Sequence, residues 1–125
     1  MTHGHDDPEA AVRAYYDHVD AEAYEDLFAL FAEDVVYERP GQGAIEGMEA
    51  FREFYFEGRP LEDGRHEVRR VVADGDGLDG TTVAVRGTFS GVQDGETVSF
   101  GFADFHEFED GLIARRDTYT DRDEV

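Results

Sequence analysis

Two ionisable residues, Asp104 and His106, lie two positions apart in an alternating stretch between Glu96 and Glu109. Side chains two positions apart on a strand share a face. This spacing predicts a face that is apolar except at these two positions, made of Val98, Phe100, Phe102, Asp104, His106 and Phe108. A carboxylate among aromatic rings loses hydration, so its pKa rises unless a cation or several donors hold the charged form. Such a group can serve as an acid or base on a bound molecule.

A structural role for the same two residues is the alternative. Asp104 would then be hydrogen-bonded to a neighbouring strand or paired with an arginine, and His106 would be a strand-end residue that reaches water. Ion pairs of this kind perturb carboxylates without any catalysis. The rest of the chain must decide between the two interpretations.

Helical periodicity dominates the first half of the chain. Asp6 or Asp7 is a candidate N-cap for a helix from Pro8 to Val19, since proline is favoured at the first helical position. Its apolar stripe consists of Val12, Tyr15, Tyr16 and Val19. The same periodicity predicts a second helix over 21–32 and a third over 48–57.

Strand periodicity takes over in the second half. A short strand over 35–39 ends at Pro40, and Gly41, Gln42 and Gly43 are predicted to form a turn. Four longer strands are predicted over 66–73, 81–89, 96–109 and 112–120, joined by Gly- and Asp-rich turns into antiparallel hairpins. Helices followed by a meander of strands indicate an α+β fold.

The charge balance is strongly acidic, with 31 Asp and Glu against 11 basic residues, and a formal net charge of −20. Every basic residue apart from the histidines is arginine. Such a chain repels phosphate backbones and anionic lipids, so neither nucleic acid nor membrane is expected as a partner. The regularly spaced aromatic residues indicate a folded chain rather than a disordered one. An acidic, lysine-free composition is typical of cytoplasmic proteins from salt-accumulating halophiles.

Length and motifs limit the remaining possibilities. We expect one domain over 1–125 with 1–7 as a flexible tail, no secretory signal and a cytoplasmic location. The chain lacks cysteine, which removes disulfides and thiolate chemistry. The DGDGLDG segment has neither the frame nor the closing Glu of a calcium loop, and His3 and His5 fall in the predicted tail. No metal or cofactor is expected.

Three segments carry a family resemblance: PEAAVRAYYDHVDAEAYEDLFALFAEDVVYERP, IEGMEAFREFY and ADFHEFEDGLIARRDTY. In order and spacing they resemble the nuclear transport factor 2-like superfamily, and within it the SnoaL-like polyketide cyclases and ketosteroid isomerases. The resemblance covers nearly the whole chain. It implies a cone-shaped, curved antiparallel sheet wrapped around N-terminal helices, a pocket at its mouth, and a homodimer formed through the outer face of the sheet.

The resemblance to ketosteroid isomerases implies roles for individual residues. Tyr15 matches the phenol that donates to the developing oxyanion, Tyr55 the supporting phenol, and Asp104 the protonated acid beside it. The general base of that family would lie at Arg39, which cannot accept a proton, and the adjacent Glu38 should face the other way. This combination predicts binding of phenolic or enolic molecules without efficient turnover of a steroid enone.

Two related families also place a working acid at the position of Asp104. Limonene epoxide hydrolases add an arginine where this chain has Phe102 and a second acid where it has Thr118, so epoxide hydrolysis is poorly supported. SnoaL-like cyclases need mainly a carboxylate base in an apolar pocket, and Asp104 with His106 could supply it.

Two functional hypotheses therefore remain open. In the first, an isomerase- or cyclase-type enzyme uses Asp104 as acid or base on a small carbonyl compound, with Tyr15 and Tyr55 as oxyanion donors and His106 or Arg116 tuning Asp104. In the second, a non-catalytic pocket binds a small apolar or weakly anionic molecule, and Arg39 or Arg116 holds Asp104. The residues expected to line the pocket are Arg39, Phe54, Phe100, Phe102, Arg116 and Thr118.

Overall fold

Helices in the first half of the chain and six strands make up the part of the chain that the structure describes. The structure is a computed structural model and describes residues 7–59, 61–75, 77, 79–122 and 125. The elements are α1 (Pro8–Asp20), α2 (Tyr24–Phe28), β1 (Phe31–Arg39), β2 (Gly43–Glu46), α3 (Met48–Glu53) with a π-helical turn (Phe54–Gly58), β3 (Leu61–Ala73), β4 (Thr82–Gln93), β5 (Glu96–Glu109) and β6 (Leu112–Thr120). This arrangement confirms the α+β class.

Within those described residues, the strands form one sheet in the order β2-β1-β6-β5-β4-β3. Neighbouring strands are antiparallel except β1 and β6, which run parallel. The predicted antiparallel hairpins are confirmed for β3 with β4, β4 with β5 and β5 with β6. Strand β1 pairs with the other edge of β6. Helix α1 packs on β3 and β4, and α3 packs on β1 and β2, so the helices cover one face of the sheet.

Helix α1 begins where the sequence predicts. The Asp7 side chain accepts a hydrogen bond from the Ala10 N–H at 3.1 Å, and Pro8 occupies the first turn. This cap satisfies one of the amide groups that a helix leaves without a partner at its N-terminus. The predicted stripe, including Tyr15 and Tyr16, is buried along the whole helix.

The predicted helix over 21–32 is wrong in extent, since helical structure is limited to Tyr24–Phe28. Glu22 has a φ of 57°, which an α-helix does not tolerate, so it separates α1 from α2. Strand β1 already begins at Phe31, where the Leu30 carbonyl accepts a hydrogen bond from the Ile113 N–H. Pairing with β6 therefore overrides the helical pattern of this segment.

Other boundaries also differ from the prediction. The segment after Pro40 is a turn only as far as Gln42, and the four residues from Gly43 form β2. Strand β3 begins at Leu61 rather than His66, and the third helix changes to a π-helical turn at Phe54. The predicted tail lies outside the described residues except Asp7.

Strand β5 is central and carries the alternation that the sequence predicts. Its inward positions from Phe100 to Phe108 are buried, and the positions between them are half-buried or exposed. Asp104 pairs with Thr118 of β6, and His106 pairs with Arg116. The register between β5 and β6 thus places Asp104 and His106 next to Arg116 and Thr118 on the inner face of the sheet.

Candidate functional site

Asp104 lies at the centre of a buried hydrogen-bond network. It is 1% exposed, and its Oδ2 accepts hydrogen bonds from Tyr16 Oη at 2.5 Å and from Arg116 Nη2 at 2.7 Å. Its Oδ1 accepts from Thr118 Oγ1 at 2.7 Å. Burial by itself raises the pKa of Asp104, but the Arg116 charge and the hydrogen bonds outweigh it and leave the pKa below its ordinary value. The carboxylate is therefore ionised and held by three side chains.

Arg116 is the buried cation of this network and is 2% exposed. Besides Asp104, it donates from Nη1 to Tyr37 and Thr118, and from Nε to His106 Nε2 at 3.1 Å. Its guanidinium also lies 4.2 Å from the centre of the Tyr15 ring, a cation–π distance. Each of the three guanidinium nitrogens donates at least one hydrogen bond, which fixes the group in place.

Arg39, at the position where the family resemblance implies a base, is buried and points inward. Its Nη1 donates to Tyr37 Oη at 2.7 Å, and its Nε donates to the Val125 carbonyl at 2.6 Å. The guanidinium stacks 4.7 Å from the centre of the Phe54 ring. Glu38, as predicted, faces the other way and pairs with Arg115 at the surface.

His106 is neutral and fully buried behind Asp104. Because its Nε2 accepts a hydrogen bond from Arg116, its proton is on Nδ1, which donates to the Val83 carbonyl at 3.2 Å. Burial, together with the Arg116 charge, lowers the pKa of His106 to about 3. The prediction that His106 could be a strand-end residue in water is wrong.

The two tyrosines of α1 have different partners. Tyr15 and Tyr55 share a hydrogen bond between their hydroxyls at 2.5 Å, while Tyr16 is the phenol that donates to Asp104. Burial raises the pKa of Tyr15 to about 12 and that of Tyr55 well above its ordinary value, so both remain protonated. The arrangement implied by the family resemblance, with Tyr15 beside Asp104, is replaced by Tyr16 beside Asp104.

A second pair, Asp20 with His66, is half-buried and was not recognised from the sequence. His66 Nδ1 lies 2.6 Å from Asp20 Oδ1, and the His66 backbone N–H donates to Asp20 Oδ2 at 2.8 Å. Burial lowers the pKa of His66 although Asp20 acts in the opposite direction. The residues are 46 positions apart, so no local motif joins them.

The network and His66 border one small cavity. It is lined by Tyr15, Tyr37, Arg39, Arg59, Leu61, His66, Phe89, Phe100, Phe102, Asp104, Arg116, Thr118, Thr120 and Val125. Of the predicted site residues, Tyr55, Phe54 and His106 do not line it. Its volume is about 20 Å³, which is room for about one water molecule.

Arg59 is the arginine of the cavity wall that forms neither an ion pair nor a hydrogen bond among the described residues. Its Nε is buried and makes no hydrogen bond in that part of the chain, whereas the other buried side-chain nitrogens and oxygens there do. Its guanidinium lies 5.9 Å from the centre of the Phe89 ring. The sequence offered no signal for this residue beyond its charge.

Neither a metal centre nor a membrane-spanning helix is found in the part of the chain that the structure describes. No group of three or more metal-ligating side chains occurs among the described residues. None of the helices in this part of the chain is long and apolar enough to cross a membrane.

The combination of fold and site defines a class of pocket proteins built from helices on a curved, mostly antiparallel sheet. Solved structures with this fold include a nuclear transport factor 2-like protein of unknown function from Burkholderia pseudomallei (TM-score 0.77, 18% identity, 88% of this chain and 87% of that chain). Another is a protein from a Jannaschia species, provisionally named a SnoaL-like polyketide cyclase. It has a TM-score of 0.73 and 20% identity, and the match covers 88% of this chain and 82% of that chain. At these identities the likeness shows the fold alone, which is nuclear transport factor 2-like.

The family follows from the sequence itself. Residues 12–116 match the model of the SnoaL-like domain, and the chain belongs to that family. A protein from Kribbella flavida, provisionally named a ketosteroid isomerase, is 30% identical over 89% of this chain and 75% of that chain, with a TM-score of 0.68. No curated protein matches the sequence.

Proposed function

We propose that this protein binds a small carbonyl-containing or weakly anionic molecule in its aromatic cavity, with Asp104 held by Arg116 as a fixed part of the polar wall. The observation that carries this proposal is the set of three hydrogen bonds to the Asp104 carboxylate. A carboxylate held in this way is a weak base, and it has no proton to donate near neutral pH.

The first hypothesis, in which Asp104 acts as acid or base, is less favoured for the same reason. Taking a proton onto Asp104 would leave the Arg116 charge buried without a counterion, which is costly. Arg39 cannot serve instead, since a guanidinium stays protonated. The lowered pKa of Asp104 therefore favours a binding role for this end of the cavity.

The remaining cavity wall suits an apolar ligand that carries a polar oxygen. Phe89, Phe100 and Phe102 provide the apolar surface, and the Arg59 Nε is a donor to which no described residue offers an acceptor. Among the described residues, three arginines and one carboxylate line the cavity. Their balance favours an oxygen with partial or full negative charge.

Ligand entry requires the cavity to expand. Pockets for small molecules in proteins measure about 300–1,000 Å³, whereas this cavity measures about 20 Å³. Val125 is a buried apolar residue of the cavity wall, so a shorter side chain at this position enlarges the cavity. Val125→Ala is therefore expected to strengthen binding of a ligand larger than water.

Fluorescence titration with 2-naphthol, 2-naphthoate and naphthalene tests the proposal, because the three share a ring system and differ in the oxygen. We expect 2-naphthol and 2-naphthoate to bind more tightly than naphthalene. Arg59→Gln should lower the affinity for 2-naphthoate about tenfold or more, since a hydrogen bond to a charged group contributes about 1.5–3 kcal/mol. Asp104→Asn should alter binding more than Glu38→Gln does.

Arg13→Gln is the matched control, because Arg13 pairs with Glu9 on the exposed face of α1. It should leave all three affinities unchanged. Equal affinity for naphthalene, 2-naphthol and 2-naphthoate, or no binding of any of them in molar KCl, would contradict the proposal.

A further inference from the structure

The Asp20 and His66 pair has the geometry of an oriented base at the wall of the same cavity. We propose that His66, held by Asp20, removes a proton from a carbon atom next to the carbonyl group of a bound ketone. The site is then catalytic, and its base is on β3 rather than at Asp104. This inference rests on the proposed function, since the ketone must first enter the cavity.

The hydrogen bonds of Asp20 fix the tautomer of His66. One carboxylate oxygen accepts the His66 backbone N–H at 2.8 Å, and the other lies 2.6 Å from Nδ1. A carboxylate only accepts, so the ring proton is on Nδ1 and the lone pair is on Nε2. A base oriented by a carboxylate through its other nitrogen is a recurring arrangement in enzymes.

The surroundings of the ring leave Nε2 available. The imidazole is enclosed by three aromatic rings, with centroid distances of 5.2 Å to Tyr16, 5.0 Å to Phe89 and 5.4 Å to Phe102. Its side chain is 9% exposed and contributes to the cavity wall. No described residue forms a hydrogen bond with Nε2, whereas His106 Nε2 is taken by Arg116.

The charges that face His66 from the surrounding elements suit proton acceptance. Asp20 on α1 and Asp104 on β5 raise its pKa, while burial and Arg59 lower it, and the net direction is downward. The ring is therefore neutral near pH 7 and able to accept a proton. Asp20 then lies next to the imidazolium and stabilises it.

The proposed reaction needs only groups that line the cavity. The C–H bond next to the carbonyl breaks, its proton goes to Nε2, and the electron pair moves to the carbonyl oxygen to form an enolate. Arg59, whose buried Nε has no partner in the described part of the chain, donates a hydrogen bond to this oxygen. The imidazolium returns the proton to the same carbon or to another one, which gives exchange or isomerisation with no other reactant.

The experiment follows exchange of the α-protons of 2-tetralone in D₂O by NMR, with the full chain in molar KCl. We expect the wild type to exchange the α-protons faster than buffer alone does. His66→Gln should lower this rate about 10²–10⁴-fold, the usual contribution of a general base. Asp20→Asn should lower the rate at least tenfold because Nδ1 loses its carboxylate. The control His18→Gln, on α1 but outside the cavity wall, should keep the wild-type rate.

A pH profile separates a catalytic role from a structural one. The rate should rise as His66 loses its proton and become constant at higher pH, which a purely structural residue would not produce. If His66→Gln does not fold, this profile and Asp20→Asn still decide the question.

Competition with 2-naphthol distinguishes failure of this inference from failure of the proposed function. If 2-tetralone displaces 2-naphthol but is not exchanged, or if exchange is unchanged in His66→Gln, the inference is overturned and binding stands. If neither molecule binds the wild type, the proposed function fails and the inference fails with it.

Discussion

Arg116 acts on two neighbouring residues in chemically different ways. It lowers the pKa of Asp104 by stabilising the carboxylate, and adds to burial in lowering the pKa of His106 by opposing a second positive charge. The result is one ion pair and one neutral imidazole in adjacent inward positions of β5. Because both depend on one guanidinium, the two residues should respond to pH as parts of one network.

The buried His106 makes stability depend on pH. In the unfolded chain it titrates near its ordinary pKa of 6.5, and in the folded protein at about 3, so between these values the unfolded chain binds the additional proton. The contribution of His106 to the free energy of unfolding is fully present above about pH 6.5. It decreases as the pH falls toward 3, by at most about 1.4 kcal/mol per pH unit.

His106→Gln tests this effect, since Gln keeps one donor and one acceptor but does not titrate. Denaturant unfolding in molar KCl should show a weaker loss of stability between pH 6.5 and 4 in the variant. A smaller dependence should remain, because burial lowers the pKa of His66 as well. Identical pH dependence in the two proteins would show that His106 is not buried in the neutral form.

At the scale of the elements, the strands that carry the site depend on close approach of β3, β4 and β5. Gly87 faces inward on β4, where a Cβ atom would lie 2.3 Å from the Glu67 carbonyl oxygen and 2.8 Å from the Phe102 ring. Val68 of β3 pairs with Gly87, and the register between β3 and β4 shifts directly after this pair, between Val68 and Arg70. A bulge of this kind bends a sheet, so the glycine allows the ring of Phe102 to lie over the bent strands.

Gly87→Ala is therefore expected to destabilise the protein by about 1–3 kcal/mol, the usual cost of overpacking, and to displace Phe102 from the cavity. Gly101→Ala on β5 is the matched control, because its Cβ would meet nothing closer than 3.8 Å. Urea denaturation of both variants gives the comparison. Equal stabilities would mean that β3 and β4 can separate at no cost.

For the whole molecule, the net charge of −20 sets the response to salt. Repulsion among exposed carboxylates destabilises the compact state, and molar salt shortens the screening length to about 3 Å. We predict that the melting temperature rises steeply with KCl. The triple variant Asp34→Asn, Glu46→Gln and Glu49→Gln removes three exposed charges. Its melting temperature should depend less on the KCl concentration.

A melting temperature that stays flat between about 0.1 M and molar KCl would contradict this prediction. The halophilic character inferred from composition would then have no physical consequence for stability.

The outer face of the sheet carries exposed aromatic surface and is the predicted homodimer interface. Phe105 is 40% exposed and Tyr119 59% exposed, and their rings contact each other edge to face at 5.9 Å. Apolar surface of this kind is often covered by a second copy. We predict a dimeric mass by light scattering in high salt and a weaker dimer for Phe105→Asp.

Phe56→Asp is the control for the dimer, since Phe56 is 53% exposed but belongs to the π-helical turn. It should leave the mass unchanged. A monomeric wild type would overturn the predicted interface.

The sequence alone determined which residues face the interior, because side-chain direction follows from the local period of a strand or helix. Alternation placed Asp104 and His106 inside and Glu38 outside, and the helical stripe placed Tyr15 and Tyr16 in the core. The α+β class and the family resemblance followed from the order of these patterns. Boundaries were less accurate around Phe31, where sheet pairing replaced a helical pattern.

Which of the inward-facing residues contact one another depends on how the elements pack. Arg116 rather than Arg39 holds Asp104 because of the register between β5 and β6, and Tyr16 rather than Tyr15 reaches it because of the rotation of α1 on the sheet. The pairing of Asp20 with His66 joins the end of a helix to a distant strand. Local periodicity fixes the face of an element but not its position against another, so contacts between distant segments depend on packing of the whole chain.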